Sequence, residues 1–146
     1  MTILDIAIPA HDLIPHRPPI VFIDRVTGAA DSCVTSSFTV PGDSPYLDNA
    51  GRLMPEALLE VMAQCFAAGA GLQAAGAGQE ISWGYLAAVR DMRVHATVFS
   101  GDMLHAEAKH RMSVGPLHIV DCRVLRNGIA IASAQLKIFI PEDREP

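Results

Sequence analysis

The hydrophobic pattern is dominated by one stretch, Gly51 to Gly76, in which apolar residues occupy every side of a helical wheel. A helix that is apolar all round has to be buried. Pro55 suits the first helical turn, where its missing N–H costs nothing, and Gly76 and Gly78 suit the exit. We therefore predict a central helix over about residues 55–76, roughly 33 Å long.

A line of polar side chains interrupts this helix on one side. Glu56, Glu60 and Gln64 follow one another at intervals of four residues, so they share one face. Glu60 lies one turn deeper than Glu56, among apolar residues, where a carboxylate is costly unless it is paired or hydrogen-bonded. One interpretation is that this face meets another subunit or a polar strand edge that satisfies Glu60. The other is that Glu60 is a functional acid whose surroundings raise its pKa.

Six segments have the β-branched, alternating or continuously apolar pattern that is typical of strands. They are Ile20–Val26, Ser32–Val40, Ile81–Val89 with a charged extension to Val94, Met103–Ser113, Leu117–Leu125 and Ile129–Ile140. The first two are separated by a predicted turn at Gly28–Asp31, and the last two by Asn127-Gly128, a strong hairpin signal. The third has little alternation, which is expected of a strand buried on both faces.

Two strands, one long helix and four further strands predict an antiparallel sheet that covers a single buried helix, of α+β class. A sheet wrapped around one helix in this way is a hot-dog arrangement. We expect residues 1–146 to form one domain, because no linker or repeat divides the chain. The C-terminal PEDREP segment is expected to be a frayed tail.

Composition and charge exclude several classes of function. The chain has 11 basic and 16 acidic residues and no basic run, which argues against nucleic acid as a partner. Its three cysteines are far apart, so neither a disulfide framework nor a zinc motif is indicated. His105 and His110 are five residues apart and are expected on opposite faces of a strand. We predict no metal site and no cofactor.

The membrane and export signals are also weak. The N-terminus lacks the basic start and apolar run of a signal peptide. The central helix carries Glu60, Gln64 and Gln73, which argues against a membrane span. We expect a soluble, cytoplasmic protein.

Three motifs resemble those of the FabZ/FabA-type 3-hydroxyacyl-ACP dehydratases and occur in the same order. They are P-H-R-P-P-I-V-F-I-D-R-V at Pro15–Val26, M-P-E-A-L-L-E-V-M-A-Q at Met54–Gln64, and V-F-S-G-D-M-L-H-A-E at Val98–Glu107. The resemblance implies a hot-dog fold, a dimer as the smallest unit, and substrates that are acyl thioesters on acyl carrier protein. It also implies a catalytic pair shared across the dimer interface.

In that family a loop histidine from one chain removes the α-proton, and a helix acid from the other protonates the leaving hydroxyl. Glu60 matches the acid. The loop from Pro41 to Gly51 contains no histidine, and G-D-S-P stands in place of G-H-F-P. Glu56 stands near the family's glycine, so the N–H of Glu56 or Ala57 could hold the thioester carbonyl. Gln64 is expected to help hold the substrate.

A closer resemblance is to the ApeP-like branch, hot-dog proteins linked to aryl-polyene synthesis. The chain shares its D-S-P loop without histidine, its E-x-M-A-Q helix, and the segments Gly84–Leu86, Asp121–Arg123 and Ala134–Pro141. This resemblance implies a dehydratase subunit that works with a second hot-dog protein. A chain with only the acid can complete a site by pairing with a chain that brings the histidine.

Several roles stay open at the level of sequence. In the family, the histidine that His16 matches is usually structural, and a catalytic role is the alternative. Tyr85 and Trp83 could line an acyl tunnel or pack in the core.

A (3R)-hydroxyacyl-ACP dehydratase is the first hypothesis, ahead of a non-catalytic acyl-ACP-binding subunit and a thioesterase. ACP or CoA thioesters are the expected ligands, with a homodimer or heterodimer as the assembly.

Overall fold

One helix and seven strands make up the computed structural model, which describes residues 4–80 and 84–141. In chain order these elements are β1 (Leu4–Pro9), β2 (Arg25–Ala30), β3 (Cys33–Thr39), α1 (Ala57–Gly76), β4 (Tyr85–Val94), β5 (Met103–Val114), β6 (Leu117–Arg126) and β7 (Ile129–Phe139). A short 3-10 helix, Ala10–Asp12, follows β1. The strands form a single antiparallel sheet in the order β1-β2-β3-β5-β6-β7-β4. The predicted α+β, hot-dog arrangement is confirmed.

Helix α1 lies on one face of this sheet and supplies the centre of the core. Its side chains Leu58, Met62 and Cys65 are at most 1% exposed, and they lie in one apolar cluster with Leu104 and Ala106 of β5. By length and composition α1 is apolar enough to cross a membrane, but half of its most apolar window is buried inside the domain. Its apolar character is therefore explained by burial against the sheet.

The two ends of α1 fit the sequence signals closely. The helix begins at Ala57, two residues later than predicted, because Pro55 and Glu56 form a turn before it. It ends at Gly76, and Gly78 has a positive φ of 70°, a conformation that glycine adopts without strain. The helix bounds are thus those predicted, within two residues.

The strand predicted at Ile20–Val26 is wrong in its position, because β2 begins only at Arg25. Phe22 and Ile23 are 3% and 2% exposed, so the apolar run is buried, but as an extended segment outside the sheet. The turn predicted at Gly28–Asp31 also lies later, at residues 31–32. Gly28 itself is inside β2, at a bulge where the pairing with β3 shifts.

The position predicted for the strand at Ile81–Val89 is wrong as well. Strand β4 pairs with β7 and lies at the edge of the sheet. It is exposed, with Tyr85 at 58%, Val89 at 37% and Val94 at 39%. Helix α1 packs mainly on β5 and β3 and not on β4, so the apolar residues of β4 remain on the surface. Residues 81–83, which include Trp83, lie outside the described part of the chain.

The four remaining predicted strands agree with the structure, as β3, β5, β6 and β7. Strands β5, β6 and β7 form two consecutive antiparallel hairpins. At the second turn, Asn127 and Gly128 have φ values of 53° and 77°, as a two-residue hairpin loop of this sequence requires. In the first hairpin the register shifts between His110 and Met112, which marks a bulge in β5.

Candidate functional site

Glu60 lies on the side of α1 that faces away from the sheet. It was predicted among buried apolar residues, and in the single chain this is wrong. Its side chain is exposed, whereas the next residues, Val61 and Met62, are 0% exposed. The sheet covers only one side of the helix, so the line of polar residues through Glu56 and Glu60 stays open. A carboxylate in that position needs no ion pair to be stable in the isolated chain.

A crevice of about 630 Å³ opens beside Glu60 at the N-terminal end of α1. It has both polar and apolar lining residues, which come from the segment before β2, the loop before α1, the helix and β4. The polar ones are His16, Tyr46, Glu56 and Glu60, and the apolar ones include Ile20, Phe22, Leu59 and Leu86. A small apolar crevice with a few convergent polar groups is a typical ligand site.

Gln64 fixes the position of Glu60 from inside the protein. Its side chain is 1% exposed. The amide oxygen accepts a hydrogen bond from the N–H of Phe22 at 2.6 Å, and the amide nitrogen donates to the carbonyl of Ile20 at 2.8 Å and to Glu60 Oε2 at 3.2 Å. All of these partners belong to the protein. The geometry therefore favours a positioning role for Gln64 over the substrate contact that the sequence suggested.

His16 lines the same crevice as Glu60, and with Glu56 and Ala57 the structure brings together four of the predicted site residues. Partial burial lowers the pKa of His16, and Arg17 lowers it further, against an opposite effect of the Glu60 charge. Arg17 donates hydrogen bonds to the carbonyls of Ile14 and His16 at 2.9 and 2.7 Å, which holds this segment in place. The lowered pKa favours a neutral imidazole, the form that can accept a proton.

The N–H groups at the start of α1 are only partly available to a ligand. The Ala57 N–H donates to the carbonyl of Met54 at 2.9 Å, and the Leu58 N–H donates to that of Pro55 at 3.0 Å. The Glu56 N–H has no hydrogen-bond acceptor within the described residues. Of the two amides considered from sequence, Glu56 is therefore the better candidate for a thioester carbonyl.

Tyr85 does not line the crevice, although its neighbour Leu86 does. Successive side chains of a strand point to opposite faces, so only one of the two can point towards α1. Trp83 falls in the undescribed segment, so both of its predicted roles, in an acyl tunnel or in the core, stay untested.

Tyr46 is a site residue that the sequence analysis missed. It belongs to the loop before α1, and its ring packs on Phe22 with centroids 4.9 Å apart. A lone aromatic residue in a segment of turn formers was the only available signal.

Within residues 4–80 and 84–141, no group of three or more His, Cys, Asp or Glu side chains is arranged to hold a metal ion.

The fold defines a hot-dog protein, with a crevice of polar and apolar residues beside its central helix. The chain belongs to the ApeP-like family, whose model, described as ApeP dehydratase, matches residues 8–146.

Solved structures with the same fold include a chain of a dehydratase complex and a hypothetical thioesterase. A chain of the dehydratase heterocomplex ApeI:P from Xenorhabdus doucetiae is 22% identical, with 93% of each chain covered and a TM-score of 0.87. The E. coli PaaI protein from the phenylacetic acid degradation operon is 16% identical, with 78% of this chain and 80% of that chain covered and a TM-score of 0.63. A hypothetical thioesterase from Streptococcus pneumoniae, solved with coenzyme A, is 14% identical, with 82% and 87% covered and a TM-score of 0.62.

Proposed function

We propose that this protein is the acid-bearing subunit of a (3R)-hydroxyacyl thioester dehydratase, with Glu60 as the acid and a partner chain as the source of the histidine. The observation that carries the proposal is the Glu60 carboxylate, held by Gln64 at the mouth of an apolar crevice. The family match to ApeP dehydratase supports the reaction class.

In the proposed reaction a base removes a proton from C2 of the 3-hydroxyacyl thioester. The electron pair of that C–H bond forms the C2–C3 double bond, and the C3–O bond breaks. Glu60, in its protonated form, donates its proton to the leaving hydroxyl, which departs as water. The base has gained one proton and Glu60 has lost one, so exchange with solvent restores the pair. The product is the enoyl thioester.

Other residues of the crevice have supporting roles in this proposal. The Glu56 N–H donates to the thioester carbonyl as negative charge develops on its oxygen, which stabilises the transition state. Phe22, Leu59 and Leu86 provide the apolar surface for the first carbons of the acyl chain. Gln64 keeps the Glu60 carboxylate aimed at the reacting carbon.

The partner chain is proposed because no loop histidine reaches this crevice. The loop Pro41–Gly51 has none. The open edge of β4 carries exposed apolar residues, and exposed apolar strand edges are sites at which another chain can add. A second hot-dog protein that pairs there would also cover the open side of α1. The match to a chain of the ApeI:P heterocomplex favours a heterodimer over a homodimer.

Acyl carrier protein is the proposed carrier, with CoA thioesters as the alternative.

We also propose a cytoplasmic location. It is supported by the three free cysteines, of which Cys65 and Cys122 are buried and Cys33 is partly exposed, since unpaired thiols are typical of reducing compartments.

The test is reconstitution with a histidine-bearing hot-dog partner. A 3-hydroxyacyl-ACP is supplied to this chain, to the partner and to the mixture, and enoyl thioester formation is followed by absorbance. The proposal predicts turnover by the mixture at a rate far above the sum of the separate proteins. No gain on mixing would contradict it.

The same assay separates the other candidate functions. If the substrate is cleaved and free thiol appears, the protein is a thioesterase, the function that the structural match to a hypothetical thioesterase favours. If the mixture is active and remains so with Glu60→Gln, the chain is a non-catalytic subunit. If this chain is active alone and His16→Asn abolishes that activity, His16 is the base and no partner histidine is needed.

A further inference from the structure

A second group of polar side chains lies near the other end of α1, at the hairpin of β5 and β6. His110 Nε2 lies 2.9 Å from Ser113 Oγ and 3.2 Å from His118 Nδ1, and Ser113 Oγ lies 3.2 Å from His118 Nδ1. The three atoms form a nearly equilateral triangle. Two of these residues are cross-strand neighbours, since Ser113 pairs with His118.

The bulge in β5 creates this arrangement. In a regular strand, residues three apart point to opposite faces. The register shift between His110 and Met112 changes the alternation and brings Ser113 onto the face of His110. The ring of Phe66, from α1, stacks on His110 with centroids 5.9 Å apart and an angle of 18° between the planes, which limits the rotation of that imidazole.

Hydrogen bonds account for at most two of the three sides of this triangle. A ring nitrogen that carries a hydrogen has no lone pair in the ring plane, so it cannot also accept. If one ring nitrogen of the triangle is protonated, it and the Ser113 hydroxyl provide one hydrogen each. Two of the three sides are then hydrogen bonds. If both ring nitrogens are protonated, the side between them is repulsive. One side therefore always lacks a hydrogen of its own.

A single cation bound to all three atoms would account for all three short separations at once. Ligand atoms at tetrahedral positions, with bonds of roughly 2.0–2.1 Å, are roughly 3.3–3.4 Å apart, and ligands at right angles are roughly 2.8–3.0 Å apart. The three observed separations run from 2.9 Å, the right-angle value, to 3.2 Å, which lies between the right-angle and the tetrahedral values.

We propose that His110, His118 and Ser113 form a binding site for a divalent transition-metal ion, with the two imidazoles as the principal ligands and the hydroxyl as a weaker third. Imidazole nitrogen suits Zn²⁺, Co²⁺, Ni²⁺ and Cu²⁺, and it does not suit Mg²⁺ or Ca²⁺. Solvent reaches the exposed Ser113 side, so water completes the coordination.

This site is separate from the Glu60 crevice. His110 and His118 line a different, apolar cavity of about 150 Å³, together with Phe66 and Cys33. Phe66 is six residues beyond Glu60 on α1, roughly 9 Å along the helix axis. The metal proposal therefore does not depend on the dehydratase proposal, and binding can be measured without substrate.

The test is a titration of the purified chain, without a polyhistidine tag, with Co²⁺ followed by visible absorption. We expect one equivalent to bind, with the strong absorption of low-coordinate cobalt, and Zn²⁺ to displace it. His110→Ala and His118→Ala should each weaken binding at least tenfold, and Ser113→Ala should weaken it a few-fold. Affinities should rise from Co²⁺ through Ni²⁺ to Cu²⁺.

Two control variants make the result specific. His105→Ala changes an exposed histidine on the same strand, and Cys33→Ser changes the nearest thiol of the cavity. Both should bind Co²⁺ as tightly as the unmodified protein, and circular dichroism should show all variants folded. The proposal is overturned if no Co²⁺ binds at millimolar concentration, if the two histidine variants bind normally, or if binding is lost with either control.

Discussion

The amide nitrogen of Gln64 donates a hydrogen bond to Glu60 Oε2 over 3.2 Å, one turn away on the same face of α1. The same side chain accepts from the Phe22 N–H and donates to the Ile20 carbonyl. One buried amide thus links the proposed catalytic acid to an extended segment that forms a wall of the crevice. Glu60 is exposed, and yet its orientation is set from the interior.

Replacing Gln64 with leucine should therefore destabilise the protein and impair the proposed reaction. The buried Phe22 N–H would lose its acceptor, which costs about 1–3 kcal/mol of the free energy of unfolding. Urea denaturation measures that loss. Gln73→Leu, at an exposed position of the same helix, is the matched control and should change stability by less than about 0.5 kcal/mol. Equal stability of the two variants would contradict this role of Gln64.

Gly71 is a second point at which α1 meets the segment before β2. A Cβ at Gly71 would overlap the backbone carbonyl oxygen of Leu13, which is 2% exposed and cannot move without disturbing the core. Gly71→Ala should lower the free energy of unfolding by about 1–3 kcal/mol. Gly76→Ala, at the end of the same helix, meets no atom within 4 Å and should be neutral or slightly stabilising. Thermal melts of both variants check this difference.

The open edge of β4 gives a prediction about assembly. Val89→Lys places a charge on an exposed apolar position of this edge strand, where a partner chain is proposed to pair. Association with a second chain, measured by analytical ultracentrifugation, should be lost while the fold remains intact. Ile129→Lys, on the adjacent strand β7 and 69% exposed, should leave association unchanged. If both variants associate normally, the interface does not involve β4.

His16 gives a prediction about pH. Because burial, reinforced by Arg17, holds its pKa below 6.5 in the folded state, the unfolded chain binds a proton more readily. The contribution of His16 to stability is thus present above pH 6.5 and is lost as the pH falls towards the lowered pKa. His16→Asn should make the free energy of unfolding less sensitive to pH between 7 and 5. NMR titration of the His16 ring should give a midpoint below 6.5, and a midpoint above it would contradict the sign.

Local signals in the sequence were enough to predict most of the fold. The all-apolar helix, the glycines after it, and the Asn127-Gly128 turn depend on backbone preferences within a few residues, and each was placed within two residues. The run Ile20–Val26 was misassigned because burial alone produces the same apolar pattern as a strand. Its backbone bonds to the side chain of Gln64, a contact 42 residues away that no local pattern contains.

The exposure of β4 and Glu60 was not predictable for a related reason. A surface that another chain covers has the same composition as a surface that the chain buries itself, so the apolar run at β4 was assigned to the interior. The convergence of Ser113 with His110 was missed because it depends on a bulge that the residue spacing does not reveal. The crevice was predicted in part, through Glu60, Glu56 and His16, whereas Tyr46 required the fold.

The central claim is that the Glu60 carboxyl gives its proton to the leaving hydroxyl. The most direct measurement is the rate of enoyl-ACP formation by the reconstituted complex with Glu60→Gln, beside Glu56→Gln as a control in the same crevice. We predict a loss of about 10²–10⁴-fold in kcat for Glu60→Gln and a much smaller effect for Glu56→Gln, with both variants assembled. An unchanged kcat for the assembled Glu60→Gln complex would contradict the account.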